Sequence, residues 1–200
     1  RVAPAFAADL SDLATVGRPA VAFDAAGATH ALLLDEERRL VAVEIPPQEY
    51  EGLDLTRRVV SLAGDASGAA GDFGGPIAAE ALERVRAVAL TALAADLLGV
   101  MDGALADAVG YALERRQFGV PIGSFQAVQH LLADAAVAVE GARSCVWHAA
   151  WSGDNDAIAD ALLAAHTAKA YCSSAGVKVV EATVQVFAGI AITWEHASHL

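Results

Sequence analysis

The chain has 200 residues, with 25 acidic against 13 basic side chains and a formal net charge of −12. A field of that sign excludes nonspecific binding to nucleic acid or to an anionic membrane surface, although a local arginine pair overrides it at short range. Hydrophobic residues make up 56% of the chain and charged ones 19%; the apolar excess is mostly alanine, which suits closely packed helices and a subunit that buries helical faces in an oligomer.

Taken from the start, residues 1–75 read as strands. Val21–Phe23, His30–Leu34, Leu40–Ile45 and Arg57–Leu62 are short β-rich runs separated by Gly, Pro and Asp punctuation such as Asp24-Ala25-Ala26-Gly27 and Pro46-Pro47. Their spacing predicts a piece of antiparallel sandwich or barrel. Four strands are few for a free-standing sandwich, and the chain opens on Arg1, so a preceding portion is expected. Gly64–Pro76 holds five glycines and reads as the linker into helices. From Ile77 a helical stripe runs through Leu82, Val85, Val88, Leu93, Leu97, Met101, Leu105, Val109 and Ala112, about ten turns or roughly 50 Å of helix.

A second helix is expected from Ser124 to about Trp151, with Phe125, Val128, Leu131, Ala135, Val139 and Ala142 on its buried stripe. Gly153-Asp154-Asn155-Asp156 is the following turn and supplies the next cap. A third helix runs from about Ala157 to Phe187 and leads into a short fourth one. Cys145 and Cys172 lack CxxC spacing and read as buried free thiols in a reducing compartment, hence a cytoplasmic location. Arg86, Asp96 and Asp102 interrupt the most apolar segment before it reaches the ~18 residues of a membrane helix, so no span is expected, and no signal peptide is visible.

Chemistry concentrates between Tyr111 and Gln126. Arg115 and Arg116 are expected in the last turn of the first helix, where cations complement its negative end. Gly119 is a ready C-terminal cap, Pro121 stops continuation, and Ser124 is placed to cap the next helix. Two guanidinia, two amides and two phenyl rings suit a ligand with anionic, polar and planar parts. The fork of Arg115 matches a diphosphate, and Arg116, one step round the helix, is expected to pair with a surface acid.

The string Glu114-Arg115-Arg116-Gln117-Phe118-Gly119-Val120-Pro121-Ile122-Gly123-Ser124-Phe125-Gln126 resembles the helix-joint signature of the acyl-CoA dehydrogenases. Those flavoproteins remove a proton from Cα and a hydride from Cβ of an acyl-CoA thioester. Carried over by position, the resemblance implies FAD contacts from Arg115, Gln117, Phe118 and Gln126, reaching the cofactor of a neighbouring subunit. Leu53-Asp54-Leu55-Thr56-Arg57 is similar to a D-x-T-R segment of the family's middle β-domain. Gln185 to Gly189 resembles its second FAD-contacting turn, with Ala188 and Ala191 where glycines are usual; Gln185 and Gly189 are the implied contacts. Alanine is tolerable there if φ is negative. Thr193-Trp194-Glu195-His196 resembles a variant of the branch acting on bulky or sterol-derived acyl-CoAs.

The resemblance implies an α+β fold: a partial antiparallel middle β-domain with its linker (1–75), then an up-down four-helix bundle of the acyl-CoA dehydrogenase C-terminal type (76–200). The implied partners are an acyl-CoA substrate, FAD, a homologous acyl-CoA dehydrogenase subunit in a hetero- or homotetramer, and an electron-transfer flavoprotein or similar acceptor. The resemblance implies a carboxylate base, which most members carry just after the fourth helix, beyond Leu200 here, and a minority on the long first helix. The window that carries it in a minority of members reads Val88-Ala89-Leu90 here, without an acid, and Glu80, Glu83 and Asp96 are out of phase with it. No catalytic residue is therefore named, and a homologous partner is expected to supply the base. The alternative is a non-catalytic assembly subunit derived from the same family. His130, His148 and His166 have no metal-ligand spacing partners, and Ser173-Ser174 reads as helix packing.

Overall fold

The computed structural model describes residues 1–8, 12–45, 58–64, 69–193 and 195–196. The chain divides into two compact units, Arg1–Leu82 and Glu83–His199. Pro46-Pro47, Leu53–Arg57 and Trp194 lie outside the described residues.

The first unit is a six-stranded sheet of β1 (Val2–Ala7), β2 (Ala20–Ala22), β3 (His30–Leu34), β4 (Leu40–Glu44), β5 (Val60–Leu62) and β6 (Ala69–Asp72), in the order β5-β2-β1-β3-β4-β6. The expected sheet is antiparallel; the observed one is mixed, because β1 and β3 pair in parallel with Val2 opposite His30. Period-two burial is visible in β1 and β3, where Ala3, Ala5, Ala31 and Leu33 all point into the core. At the β3–β4 turn, the Asp35 carboxylate accepts from the backbone N–H groups of Glu37 and Arg39 at 2.8 Å each. That Asx geometry carries Arg38 into a positive φ of 63°.

Two strands were hidden from pattern reading. β1 contains Pro4 among alanines, a poor β composition, yet Pro4 still accepts through its carbonyl from the N–H of Phe23 at 3.2 Å. β6 falls in the glycine-rich stretch expected as linker and is held by its ladder with β4. In both, pairing partners supplied what local propensity lacked.

The second unit is built on three long helices: α1 (Ala79–Glu114), α2 (Gln126–Asn155) and α3 (Ile158–Phe187). In place of the expected fourth helix the described residues hold a 3-10 helix, Ala188–Ile192. A core cluster joins Ala94, Leu98 and Met101 of α1, Ala135, Val139 and Ala142 of α2, and Ala168, Cys172 and Val179 of α3.

The buried face of α1 differs from the expected one. Ala87, Leu90, Ala94, Leu98, Met101, Ala108 and Ala112 point inward, while Val85, Val88, Val100 and Val109 are exposed. The reason is compositional: α1 is apolar nearly all the way round, so periodicity cannot set its phase. The face that won places Ala94, Leu98 and Met101 in the core shared with α2 and α3. On α2 the expected Ala135, Val139 and Ala142 are buried, but Leu131 is exposed and the inward stripe continues through Val146 and Ala149.

The α2–α3 connection also departs from expectation. α2 runs on to Asn155, so Gly153 to Asn155 are helical. α3 begins after Ala157 with no side-chain cap; the Asp156 carboxylate instead accepts from the Ser152 hydroxyl at 2.6 Å. Both cysteines are free: Cys172 is buried and Cys145 half-buried. Burial, then the neighbouring Cys145, push the Cys172 thiol up, and Lys169 opposes them weakly. The Lys169 ammonium donates to the Ser173 hydroxyl at 2.6 Å, in keeping with a packing role for that serine.

Charge interruption did not keep α1 below membrane-crossing character. Ala79–Glu114 and Ile158–Ile192 are long and apolar enough to span by length and composition. Both also contribute residues to the core described above.

Met101 is fully buried at the centre of this core. Met101→Ala is expected to lower stability by about 2–5 kcal/mol, read as a lower denaturant midpoint at unchanged slope. At pH 8 a thiol reagent is expected to label Cys145 in the native protein and Cys172 only on unfolding, monitored by mass spectrometry of the labelled peptides.

Candidate functional site

The joint between α1 and α2 is a β-hairpin. α1 ends at Glu114, and β7 (Arg116–Gln117) pairs antiparallel with β8 (Val120–Pro121). Arg115 and Arg116 are therefore outside the helix rather than in its last turn. Phe118 and Gly119 form the two-residue turn, with φ of 53° and 82°. Two successive positive values are the signature of a hairpin turn whose twist matches its strands. Gly119 thus serves the hairpin apex, beyond the helix end it was expected to cap.

Three contacts hold the hairpin on the bundle. Arg115 N–H donates to the Tyr111 carbonyl and Ile122 N–H to the Arg115 carbonyl, each at 2.8 Å. A β-carbon on Gly123 would stand 3.0 Å from the Ala112 carbonyl oxygen, so the chain passes against α1 at a distance only glycine allows. The Ser124 hydroxyl donates to the Pro121 carbonyl at 2.7 Å and does not cap α2, whose N-cap is Phe125 without a side-chain bond. Ser124 is occupied by the short 3-10 helix Ile122–Ser124, which leaves the α2 start open.

On the far side of the hairpin, α3 ends beneath Tyr111. The rings of Tyr111 and Phe187 meet edge-on at 5.3 Å, and Phe187 packs on the His196 ring at 4.4 Å. Between these elements lies a cavity of about 410 Å³, lined by Tyr111, Arg115, Gln117, Ile122, Val186, Phe187, Ala188, Gly189 and Ile190. It brings Arg115 and Gln117 of the first motif together with Gly189 of the second, from opposite ends of the helical unit's sequence. Phe118, Gln126 and Gln185 do not line it. Phe118 stands 94% exposed, its ring edge-on to Phe125 at 6.3 Å. Gln126 is the first residue of α2 rather than its third, and Gln185 is exposed on α3.

The electrostatics of the cavity rest on Arg115. Its guanidinium has no hydrogen bond or ion pair among the described residues, whereas Arg116 donates at 3.5 Å to the Gly119 carbonyl rather than to an acid. The Gln117 amide donates to the Arg116 carbonyl at 2.6 Å. An unengaged guanidinium beside a cavity of this size fits an anionic, fork-matched group such as a diphosphate. The volume lies in the usual range of ligand pockets, enough for one arm of a dinucleotide.

Ala188 adds a feature that sequence reasoning tied to the sign of φ. It closes α3 with φ 55° and ψ −137° while its N–H donates to the Val184 carbonyl. The condition for an unstrained alanine is not met. Ala191, by contrast, is not among the positive-φ residues.

A second cavity of about 310 Å³ lies among α1, α2 and α3, with Ala87, Val88, Thr91, Ala95, Ala149 and Ile158 on its walls and Arg84 and Asp154 beside them. Glu83 does not line it and is engaged with Arg86 at 2.8 Å. Its apolar walls do not suit a diphosphate.

The C-terminal domain of the acyl-CoA dehydrogenases matches residues 72–200. The chain belongs to the acyl-CoA dehydrogenase family. FAD is the cofactor of this family. The acyl-CoA dehydrogenase IpdE2 of Mycolicibacterium smegmatis is 37% identical over 145 residues, which is 72% of this chain and 41% of that protein. Among solved structures, a "Tcur3481-Tcur3483 steroid ACAD G363A variant" is 35% identical with a TM-score of 0.72, over 90% of this chain and 50% of that one. The ChsE4-ChsE5 complex from Mycobacterium tuberculosis gives a TM-score of 0.66 at 26% identity, over 99% of this chain and 58% of that one. The chain thus spans well under two thirds of the length of these relatives.

Gly123→Ala is expected to lift the hairpin from α1, because the new methyl meets backbone. Hydrogen exchange at the Ile122 amide should rise at least about tenfold, which corresponds to roughly 1.4 kcal/mol of lost local protection, while amides in the centre of α3 keep theirs.

Proposed function

We propose that this chain is a subunit of an FAD-dependent acyl-CoA dehydrogenase catalysing α,β-desaturation of an acyl-CoA thioester, with part of an interfacial FAD site built by the α1–α2 hairpin. The observation that carries this reading is the unengaged Arg115 guanidinium in one cavity with Gln117 and Gly189. In this reading Arg115 holds the diphosphate by a charge-assisted fork, and Gln117 and Gly189 bound its path on either side. Phe118, Gln126 and Gln185 face outward and contact cofactor from the hairpin apex, the open α2 start and the α3 surface. That outward placement is what a site shared between subunits requires, and a 94% exposed phenyl ring at the apex is readily understood as one covered in the assembly.

FAD, when bound, accepts the hydride that leaves Cβ. This chain's own residues position and exclude water; the proton at Cα needs a carboxylate in a dry site with a raised pKa. Position 89, in the window that carries the base in a minority of members, is alanine, and Glu83 is committed to Arg86. This reading favours a base supplied by a homologous partner chain, with a carboxylate beyond Leu200 as the other source. The steroid dehydrogenase and the complex among the similar structures support a bulky acyl-CoA substrate and a heteromeric assembly. Electrons pass on to an electron-transfer flavoprotein or similar acceptor, and two free thiols agree with a cytoplasmic setting.

The test is the visible spectrum of the full chain purified alone and with its co-expressed genomic neighbour. Flavin bands in the copurified sample, lost in Arg115→Ala and partly retained in Arg115→Lys, are the expected result. Flavin-free protein under both conditions favours the assembly-subunit alternative and overturns the reading.

A further inference from the structure

Apolar side chains wall the cavity of about 310 Å³ among α1, α2 and α3, and the Thr91 hydroxyl on its rim is spent on the Ala87 carbonyl at 2.8 Å. Beside it on α2 stand two large apolar groups. Trp147 and Trp151 are 72% and 58% exposed. Residues three and four apart on a helix are surface neighbours, so Trp147 adjoins Ala150 and Trp151 adjoins Asp154, both of which line the cavity. One face of the helical unit therefore carries a ridge of indoles and an apolar hollow side by side. Exposed aromatic groups next to a hollow mark an interaction surface, and tryptophan is the commonest anchor at such surfaces.

Charge says what the surface can meet. With a net charge of −12, two copies of the chain repel one another unless the faces that touch are locally neutral. The residues that line the cavity hold one cation, Arg84 near the start of α1, and one anion, Asp154 near the end of α2. In a two-fold contact residue i of one copy meets residue j of the other, and j meets i. A face bearing both a ridge and a hollow, and both a cation and an anion, is complementary to itself under that operation. We propose that this α1–α2 face is a two-fold interface between copies of the chain, in which the Trp147–Trp151 ridge of each copy covers the cavity of the other and Arg84 of each faces Asp154 of the other. The occupant is a second copy, distinct from the homologous subunit that the cofactor reading calls for, and the two readings stand or fall separately.

The full chain, with any subunit that copurifies, is followed through a concentration series by analytical ultracentrifugation, and copies per particle are counted by native mass spectrometry. Particles holding two copies are expected, with acrylamide quenching of indole fluorescence falling as they form. Trp151→Ala should weaken the association of copies at least about tenfold. Arg84→Asp and Asp154→Arg should each weaken it at least about threefold, and the two together should restore it to within about twofold of the parent, because a two-fold contact exchanges the charges intact. Circular dichroism checks that each variant is folded, and the quenching series on the parent reads the interface without any substitution. One copy per particle at every concentration overturns the proposal, including the case in which a homologous subunit shields the indoles. Association indifferent to Trp151→Ala or to the single charge reversals overturns it, as does a double reversal that fails to restore what the single ones lose.

Discussion

Close approach between the α2 and α3 backbones is the constraint from which the helical unit follows. Ala142 of α2 and Ala165 and Ala168 of α3 are fully buried, and these two helices run close together. Alanine contacts bury little area each, so they must be many and the helices long. That is what 36-residue α1 and 30-residue α2 and α3 supply. The same rule extends to the hairpin, where Gly123 passes the Ala112 carbonyl, and to α2, where Tyr171 lies over Gly141 so closely that a β-carbon there would collide with its hydroxyl. A side chain that is absent fixes position as firmly as one that is present.

Filling the inner faces with alanine turns the bulky residues outward. Val88, Leu113, Val137, Trp147 and Leu163 are each more than 60% exposed. Single exposed apolar side chains are ordinary, but these recur along all three helices. Exposed apolar faces of this kind mark interaction surfaces and support the subunit reading proposed above.

How much of this was legible beforehand depended on what each residue's signal competes with. The hairpin's cargo, Arg115, Gln117 and Phe118, could be read because a short string carries its own spacing, and Gly189 because it follows Gln185 in a second string. That Arg115, Gln117 and Gly189 share a cavity was not readable as geometry, since it depends on α3 ending beneath Tyr111. The hairpin was expected as a helix end because Gly119 and Pro121 punctuate either structure equally well, and only pairing of Arg116 with Pro121 decides. The face of α1 was misjudged for a related reason: valine and alanine are both apolar, and on a helix apolar nearly all the way round a pattern that scores them alike cannot set the phase. β1 and β6 were missed because a ladder partner, not propensity, makes them strands.

The site then sets two opposing demands on the same few residues. The polyanion site proposed above, in a chain with net charge −12, needs a cation that acids have not captured, and among the described residues Arg115 makes only backbone hydrogen bonds. Arg116, one residue on, is turned back onto the Gly119 carbonyl. Arg115 and Gln117 thus line the cavity while Arg116 between them stays on the hairpin. The cost of that arrangement is local strain at Phe118, whose positive φ is the condition for the two-residue turn. A bulky residue at that apex is destabilising for an isolated hairpin and sensible for one whose tip another chain buries, so the strain and the exposure support the shared site proposed above.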